Sequence, residues 1–336
     1  MLTLVYTQSS FADLTFQHQT FADHQFEVEI LSTDGMASPE AQRMLARAQV
    51  VLMGADQALS APQLAAMPHL KMISVIGVGF DRIDLEAANA RGIWVSNTPD
   101  YGMDEVSNHA IMLMLVLARG FAPTSADARA GHWNPASIRP LTRLHGQTAG
   151  IIGLGRIGKT AARKLNAFGL RVLAYDPYIP SWDFGIVGAT SVPLETLLRE
   201  SDYISLHAPH TAETNHIINH ESLMMMKPSA CLINTARGGL VDEAAVLNAL
   251  NNNRLRAAGL DVLSIEPPPP DHPVLGPLLR HPRAHITPHI AYYSEQGLRD
   301  MRVKSAENIV AWARAGKPNT PVNQPNAQLP TPGVPL

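Results

Sequence analysis

Six residues from Gly153 to Gly158, with glycine at the first, third and sixth positions, restrict the fold of this chain more than any other feature. They follow a short apolar run that ends at Ile152, and the helical pattern of 159–168 comes directly after them. A strand, a tight glycine turn and a helix in this order are typical of a dinucleotide-binding unit in a parallel α/β sheet. A plain glycine-rich turn is the alternative for the same pattern taken alone.

Each glycine has a separate physical task in this interpretation. Gly153 permits the tight turn, Gly155 lets the backbone approach a pyrophosphate, and Gly158 lets the helix pack closely on the strand. The N-terminus of the helix adds unpaired N–H groups and positive potential. The three positions together predict a site for the phosphates of a nucleotide cofactor.

An acid ends the next apolar run, Leu170 to Tyr175. This residue is Asp176, 18 residues after Gly158. A carboxylate there accepts hydrogen bonds from the adenosine ribose hydroxyls and repels a 2′-phosphate, which predicts NAD rather than NADP. The alternative is that Asp176 only caps the turn at Pro177.

Strand and helix patterns alternate twice along the chain, up to about Pro99 and again from Ala149 to about His289. This rhythm predicts two α/β units with parallel sheets. Between them, 104–119 reads as one long, mostly apolar helix, which we expect to be covered by the domain junction and a second subunit. The pattern of 294–315 predicts a helix that returns to the first domain.

Composition narrows the class of partner. The 336 residues carry a formal net charge of -3, with Lys and Arg scattered singly, so neither nucleic acid nor an anionic membrane is expected as a partner. The longest apolar stretch, Ala110 to Ala118, is shorter than the roughly 20 residues that span a bilayer.

The only cysteine, Cys231, excludes an internal disulfide. Because Met1 to Tyr6 reads as a strand rather than a signal peptide, we predict a cytoplasmic protein that binds a small molecule and no metal.

Three polar residues follow later apolar strands: Arg237, Glu266 and His289. Histidine can exchange a proton near neutral pH, and a carboxylate on its second ring nitrogen fixes the tautomer. An arginine fork can hold a carboxylate and polarise an adjacent keto group. Taken singly, these residues could be a turn cation, an exposed acid and a loop histidine. Their joint presence after a nucleotide fingerprint predicts hydride transfer at an alcohol or ketone carbon.

Four stretches of the sequence resemble those of a known family and occur in the same order along the chain. They are 77–84, 153–158, 234–242 and 287–289. The chain resembles the D-isomer-specific 2-hydroxyacid dehydrogenases over nearly all of 70–321. The resemblance implies that Arg237, Glu266 and His289 are the catalytic residues of a 2-hydroxy or 2-keto acid oxidoreductase.

The resemblance also assigns binding residues. It implies that backbone N–H groups of Val78 and Gly79 hold the substrate carboxylate, and that Tyr292 lines the substrate pocket or packs in the domain interface. The cofactor contacts that it implies, besides the glycines, are Arg156, Ile157, Asp176, His207, Pro209, Thr214, Thr235, Ala236 and Asp261. Asp261 is expected near the nicotinamide amide.

The family fold implies two doubly wound, Rossmann-like domains with a cleft between them. The expected substrate domain is 1–99 plus 290–322, and the NAD-binding domain is 100–289. The region 104–148 is expected to join a homodimer, and 323–336 to be an extended or disordered tail.

Several alternatives stay open at this level. The motifs around Tyr175 and Tyr292 are most similar to the subgroup of the C-terminal-binding-protein corepressors, which leaves an NAD(H)-sensing binding protein as the rival function. Phosphoglycerate is the rival substrate, although the segment 53–58 carries one charge, on Asp56, and favours an uncharged substrate tail. Asn108 and His210 depart from the usual family residues and affect the expected substrate preference rather than the reaction type.

Overall fold

The computed structural model describes residues 2–7, 13–134, 138 and 140–325. The chain divides into two compact units, one made of Met1–Gly102 with Ser294–Leu336 and the other of Met103–Tyr293. Both boundaries fall a few residues later than the expected positions after 99 and 289.

The first unit contains a five-stranded parallel sheet with the strand order β2-β1-β3-β4-β5. Every residue of its third and fourth strands is buried, as expected for parallel strands covered on both faces. The strands and their connecting helices are β1 Leu2–Thr7, α1 Thr15–Asp23, β2 Val28–Thr33, α2 Pro39–Arg47, β3 Val50–Gly54, α3 Ala61–Ala65, β4 Met72–Ile76, α4 Leu85–Ala90 and β5 Trp94–Ser96.

The second unit contains a seven-stranded parallel sheet with the order β12-β11-β10-β9-β6-β7-β8. Its elements are α5 Met103–Arg119, α6 Phe121–Arg129, β6 Thr148–Ile152, α7 Arg156–Ala167, β7 Arg171–Tyr175, α8 Ser181–Ile186, β8 Ala189–Ser191, α9 Leu194–Glu200, β9 Tyr203–Leu206, α10 His220–Met225, β10 Cys231–Asn234, a 3-10 turn Gly238–Leu240, α11 Glu243–Asn251, β11 Ala257–Leu260, α12 Leu275–Arg280 and β12 Ala284–Ile286. Because β6 lies between β7 and β9, the order reverses there, and a crevice for a ligand opens at the carboxyl ends of these strands. The predicted class of two doubly wound parallel-sheet domains is confirmed.

Helix α5 packs on the second sheet. A side chain at Gly259 would place its Cβ 3.1 Å from the Cβ of Leu113, so helix and strand lie in close contact. Met114 is 2% exposed and packs in a hydrophobic core cluster of the second unit, whereas Met112 is 41% exposed. Among the described residues no single helix is long and apolar enough to cross a membrane; α5 and α6 pass that test only together, as a pair bent by 62°.

The last helix, α13 (Glu295–Ala315), belongs to the first unit. Ser74 on β4 donates a hydrogen bond of 2.9 Å to the carbonyl of Ser305 on this helix. Beyond it, Asn323 is 8% exposed and accepts a 2.7 Å hydrogen bond from the N–H of Val95. Asn323 is therefore anchored on the edge strand β5, whereas 326–336 lies outside the described residues, so the expected extended or disordered tail of 323–336 stays a prediction.

Candidate active site

The three predicted catalytic residues follow three neighbouring strands of the second sheet. Arg237 comes after β10, Glu266 after β11 and His289 after β12, and these strands pair in the order β10, β11, β12. Parallel strands end at the same edge of a sheet. The sequence therefore brings the three side chains to one edge of the second unit.

Glu266 and His289 form a direct pair. The Oε2 atom of Glu266 lies 2.7 Å from Nδ1 of His289, and its Oε1 atom accepts a 2.8 Å hydrogen bond from the N–H of Leu263. One carboxylate oxygen is thus tied to its own loop while the other orients the imidazole. With Nδ1 engaged, Nε2 is the ring atom suited to exchange a proton with a substrate.

The backbone of His289 has the left-handed conformation, with φ of 52°, which is costly for a residue other than glycine. Its N–H donates to the carbonyl of Asp261, whose carboxylate accepts from the N–H groups of Ile290 at 3.0 Å and Ala291 at 2.9 Å. The Asp261 side chain is 0% exposed. In this structure Asp261 holds the histidine loop; the expected cofactor contact of this residue stays a prediction.

A second histidine supports the same loop. The Nε2 atom of His109 on α5 lies 2.9 Å from the hydroxyl of Thr287, and that hydroxyl donates a 2.5 Å hydrogen bond to Asp261. This contact was not predicted, because His109 lies 152 positions before Asp261 in the chain and only folding brings them together.

Arg237 is positioned by a buried amide. Asn234, 0% exposed at the end of β10, donates a 2.8 Å hydrogen bond to the carbonyl of Arg237 and accepts one of 3.0 Å from the N–H of Ala236. The Arg237 side chain is half-buried and donates to the Ala236 carbonyl at 2.7 Å. The motif 234–242 begins at Asn234, but the hydrogen bonds by which this residue holds the turn were not predicted.

The predicted substrate contacts lie in different units. The Tyr292 ring lies 6.2 Å from the His289 ring in an edge-on arrangement, in the second unit. Val78 and Gly79 follow β4 in the first unit, where the Val78 carbonyl accepts a 2.7 Å hydrogen bond from Asn97. Among the described residues, the N–H groups of Val78 and Gly79 have no acceptor, as the predicted carboxylate contact requires.

The glycine turn has the geometry that its sequence predicts. Gly153 has φ of 90°, and a Cβ there would lie 2.5 Å from the backbone nitrogen of Ala208. A Cβ at Gly158 would lie 2.2 Å from the Gly153 carbonyl, so both positions require glycine. At Gly155, by contrast, a Cβ would meet no described atom within 4 Å, which leaves open space at the N-terminus of α7, where Arg156 and Ile157 begin the helix.

Asp176 lies at the end of β7 beside this turn. One carboxylate oxygen accepts a 2.8 Å hydrogen bond from the N–H of Leu154, and the other accepts one of 3.0 Å from the N–H of Tyr178. The residue therefore does cap the turn, as one alternative held. Each oxygen keeps a second lone pair for a ribose hydroxyl, so the two interpretations are compatible.

His207 follows β9 and packs against the glycine turn. A Cβ at Gly158 would lie 3.5 Å from its Cβ, and its Nε2 atom pairs with the hydroxyl of Ser205 at 2.9 Å. Burial lowers the pKa of His207 to about 4, so its ring is neutral at physiological pH. In the loop that follows, Thr214 donates a 2.7 Å hydrogen bond to the Pro209 carbonyl.

One buried hydroxyl supports the fit of a nicotinamide cofactor. Thr235, at the end of β10, is 8% exposed, and its Oγ1 atom has no hydrogen-bond partner among the described residues. A buried polar atom without a partner is costly and is usually satisfied by a ligand or water. Together with the open backbone at Gly155 and the carboxylate of Asp176, it shows that the residues present fit NAD. No group of three or more metal-binding side chains is found in the part of the chain that the structure describes.

Comparison with known proteins agrees with this geometry. Residues 111–291 match the model of the D-isomer specific 2-hydroxyacid dehydrogenase NAD binding domain. A glyoxylate reductase of Korarchaeum cryptofilum is 39% identical over 280 residues, which cover 82% of each chain. A D-3-phosphoglycerate dehydrogenase of Mycobacterium tuberculosis is 38% identical over 267 residues, 79% of this chain and 49% of that protein, so the chain spans about half the length of this relative.

A solved structure agrees over most of the chain. D-lactate dehydrogenase from Aquifex aeolicus, complexed with NAD and lactic acid, superposes with a TM-score of 0.84 at 30% identity, over 93% of this chain and 95% of that one. All three proteins are named as enzymes, and the likeness to the corepressor subgroup stays a prediction. The chain belongs to the D-isomer specific 2-hydroxyacid dehydrogenase family, and it is an NAD-binding oxidoreductase that acts on CH–OH groups.

Proposed function

We propose that this dehydrogenase interconverts a small D-2-hydroxy acid and its 2-keto acid, with His289 and Glu266 as the acid–base pair and Arg237 as the carboxylate clamp. The observation that carries the proposal is the 2.7 Å contact between Glu266 and Nδ1 of His289 at the edge of the sheet that also carries Arg237. NAD, when bound, supplies the hydride acceptor, and NADH the hydride donor.

The remaining chemistry belongs to the side chains. In the direction of reduction, His289 donates a proton from Nε2 to the keto oxygen, and Glu266 stabilises the charged imidazole before that transfer. The Arg237 guanidinium pairs with the substrate carboxylate and polarises the keto group. In oxidation the same histidine accepts the hydroxyl proton.

We further propose a substrate with an uncharged tail. The segment 53–58 is expected to contact the substrate tail, and Asp56 is its one charged residue. The carboxylate of Asp56 would repel a phosphate group on the substrate. Gln57 is engaged inside the first unit, where its Oε1 atom accepts from Thr7 at 2.6 Å and from the N–H of Gly54 at 3.2 Å. These contacts favour glyoxylate, pyruvate or hydroxypyruvate over a phosphorylated acid.

The test is the rate of NADH oxidation with glyoxylate, pyruvate, hydroxypyruvate, phenylpyruvate and phosphohydroxypyruvate, with NADPH in parallel. We expect turnover of a small keto acid with an uncharged tail by NADH, at a kcat/KM at least about 10-fold above that for the phosphorylated acid, or roughly 1.4 kcal/mol. Faster turnover of phosphohydroxypyruvate would overturn the substrate proposal. Binding of NADH without turnover of any acid would overturn the reaction and favour the sensor.

We also propose that the protein is a homodimer joined through α5. An apolar groove of about 670 Å³ lies along the outer face of this helix, between it and the end of α7. Phe121, 62% exposed, and Phe168, 43% exposed, line it together with Met112. A contiguous apolar surface of this kind marks an interface, and its position within the predicted region 104–148 favours a second copy of the chain as the partner.

A further inference from the structure

Glu243 is a buried acid in the first turn of a helix, a position where acids are normally exposed to water. It is the first residue of α11, directly after Asp242, whose side chain caps the helix by accepting from the N–H of Ala245 at 3.1 Å. The helix dipole favours an acid in this turn but gives no reason to bury it. Glu243 is nevertheless 8% exposed.

Its carboxylate is bound to a single residue of the loop that follows β11. Oε1 accepts a 2.7 Å hydrogen bond from the N–H of Ser264, and Oε2 accepts one of 2.5 Å from the hydroxyl of the same serine. Hydrogen bonds to an ionised acceptor are about twice as strong as neutral ones. Both oxygens of Glu243 are therefore used to hold Ser264.

The same loop is fixed from a second side by a glycine. A Cβ at Gly238 would lie 2.1 Å from the carbonyl carbon of Leu263 and 2.4 Å from the nitrogen of Ser264. The 3-10 turn after Arg237 therefore packs backbone to backbone on the loop. Gly238 itself has no side chain to orient the loop, and Glu243 supplies two directional hydrogen bonds.

This loop sets the direction of Glu266. The N–H of Leu263, the residue before Ser264, donates to one oxygen of Glu266 at 2.8 Å, and the other oxygen contacts His289 at 2.7 Å. A displacement at Ser264 moves the donor that aims the Glu266 carboxylate. Glu243 is thus connected to the His289 imidazole through the backbone of 263–264 and the side chain of Glu266.

We propose that Glu243 is a positioning residue for the acid–base pair, which it serves by fixing the loop 263–266. The inference rests on the proposed roles of Glu266 and His289. Glu243 itself acts only through Ser264, so it differs from a catalytic residue. Misplacement of a reacting group by about 1 Å can cost on the order of 100-fold in rate.

The test compares Glu243→Ala with Glu243→Gln. Alanine removes both bonds to Ser264, whereas the glutamine amide can accept from the Ser264 N–H and donate to its hydroxyl, which keeps the loop in place. We expect Glu243→Ala to lower kcat by about 10- to 100-fold and to move the midpoint of the pH profile of kcat/KM in the direction that Glu266→Gln moves it. We expect Glu243→Gln to stay within about threefold of the parent in kcat, and the Kd for NADH to be unchanged in both variants. Glu221→Ala, which removes an exposed acid from the first turn of α10, is the matched control.

If Glu243 only stabilises the fold, the same experiment has a different outcome. A Glu243→Ala protein that keeps the parent pH midpoint, with kcat reduced only in proportion to the unfolded fraction, overturns the proposal. If this variant does not fold, Ser264→Ala removes the hydroxyl bond alone and must show a smaller shift of the pH midpoint in the same direction. If Glu266→Gln and His289→Ala keep full activity, the proposed function fails. If Glu266→Gln and His289→Ala lose activity while Glu243→Ala and Ser264→Ala keep it, only this inference fails.

Discussion

The Glu266 carboxylate touches His289 at Nδ1, 2.7 Å away, and holds the ring in one orientation. The side chains of the two residues are 27% and 42% exposed, so the pair is accessible to a substrate. The interaction joins two neighbouring strands, β11 and β12, through the loops that follow them. Its chemical effect can be measured separately from its contribution to stability.

Replacement of either residue of this pair tests the acid–base assignment. We expect His289→Ala to lower kcat by about 100- to 10,000-fold and to remove the pH-dependent step. Glu266→Gln, which keeps the hydrogen bond but loses the charge, should shift the pH midpoint of kcat/KM to lower values with a smaller loss of rate. Steady-state kinetics across pH provide the measurement, with His220→Ala, which removes an exposed histidine at the start of α10, as the control. Normal turnover of His289→Ala with the parent pH profile would show that the assignment is wrong.

Arg237→Lys tests the carboxylate clamp. Lysine keeps the positive charge but loses the planar fork, so we expect kcat/KM for the keto acid to fall on the order of 100-fold. The Kd for NADH, measured by fluorescence, should change by less than about twofold, because the guanidinium is aimed at the substrate in the proposed mechanism. An equal loss of NADH affinity and activity would place Arg237 in the cofactor site instead.

Thr235→Val tests the fit of the cofactor. Valine has the shape of threonine without its hydroxyl, and that hydroxyl has no partner among the described residues. We expect the melting temperature of the free protein to stay constant or rise, while the Kd for NADH increases about fivefold, equivalent to roughly 1 kcal/mol. Unchanged NADH affinity would show that another group, such as water, satisfies the hydroxyl.

His207 predicts a pH dependence of stability. Burial lowers its pKa in the folded chain to about 4, below the ordinary value of 6.5. Between these values the unfolded chain binds a proton that the folded chain does not, so His207 makes the fold less stable as pH falls through this window. At pH 5 the loss is about 1 to 2 kcal/mol relative to neutral pH. Urea unfolding of the parent and of His207→Asn at both pH values measures it, and the variant should lose less stability on acidification; equal losses would contradict the assignment.

Met112→Asp tests the proposed dimer. Met112 is 41% exposed and lines the groove on α5, so a charge there should oppose burial against a second copy. We expect light scattering after size exclusion to show a monomer for this variant and a dimer for the parent. Ile186→Asp, at a residue that is 62% exposed on α8 and outside the groove, is the control and should stay dimeric. A parent protein that elutes as a monomer would remove the proposal.

Local sequence was sufficient for the elements and for the cofactor turn. The continuous apolar runs of β3 and β4 predicted buried parallel strands, and the glycines at 153 and 158 stand where a Cβ would collide with backbone. These features depend on residues close together in the chain, or on a backbone conformation that only glycine adopts readily. The sequence also indicated that Arg237, Glu266 and His289 each follow an apolar strand, and these strands are β10, β11 and β12.

Tertiary structure alone decided what supports those residues. The family resemblance implied a cofactor contact for Asp261, and the sequence alone assigned no role to Glu243 or His109. In the fold, Glu243 and Asp261 become hydrogen-bond acceptors for the loops of Glu266 and His289, and His109 reaches Thr287 from another helix. Periodicity reports which face of an element is buried. It does not report which buried polar atom meets which loop, because that depends on the packing of elements distant in sequence.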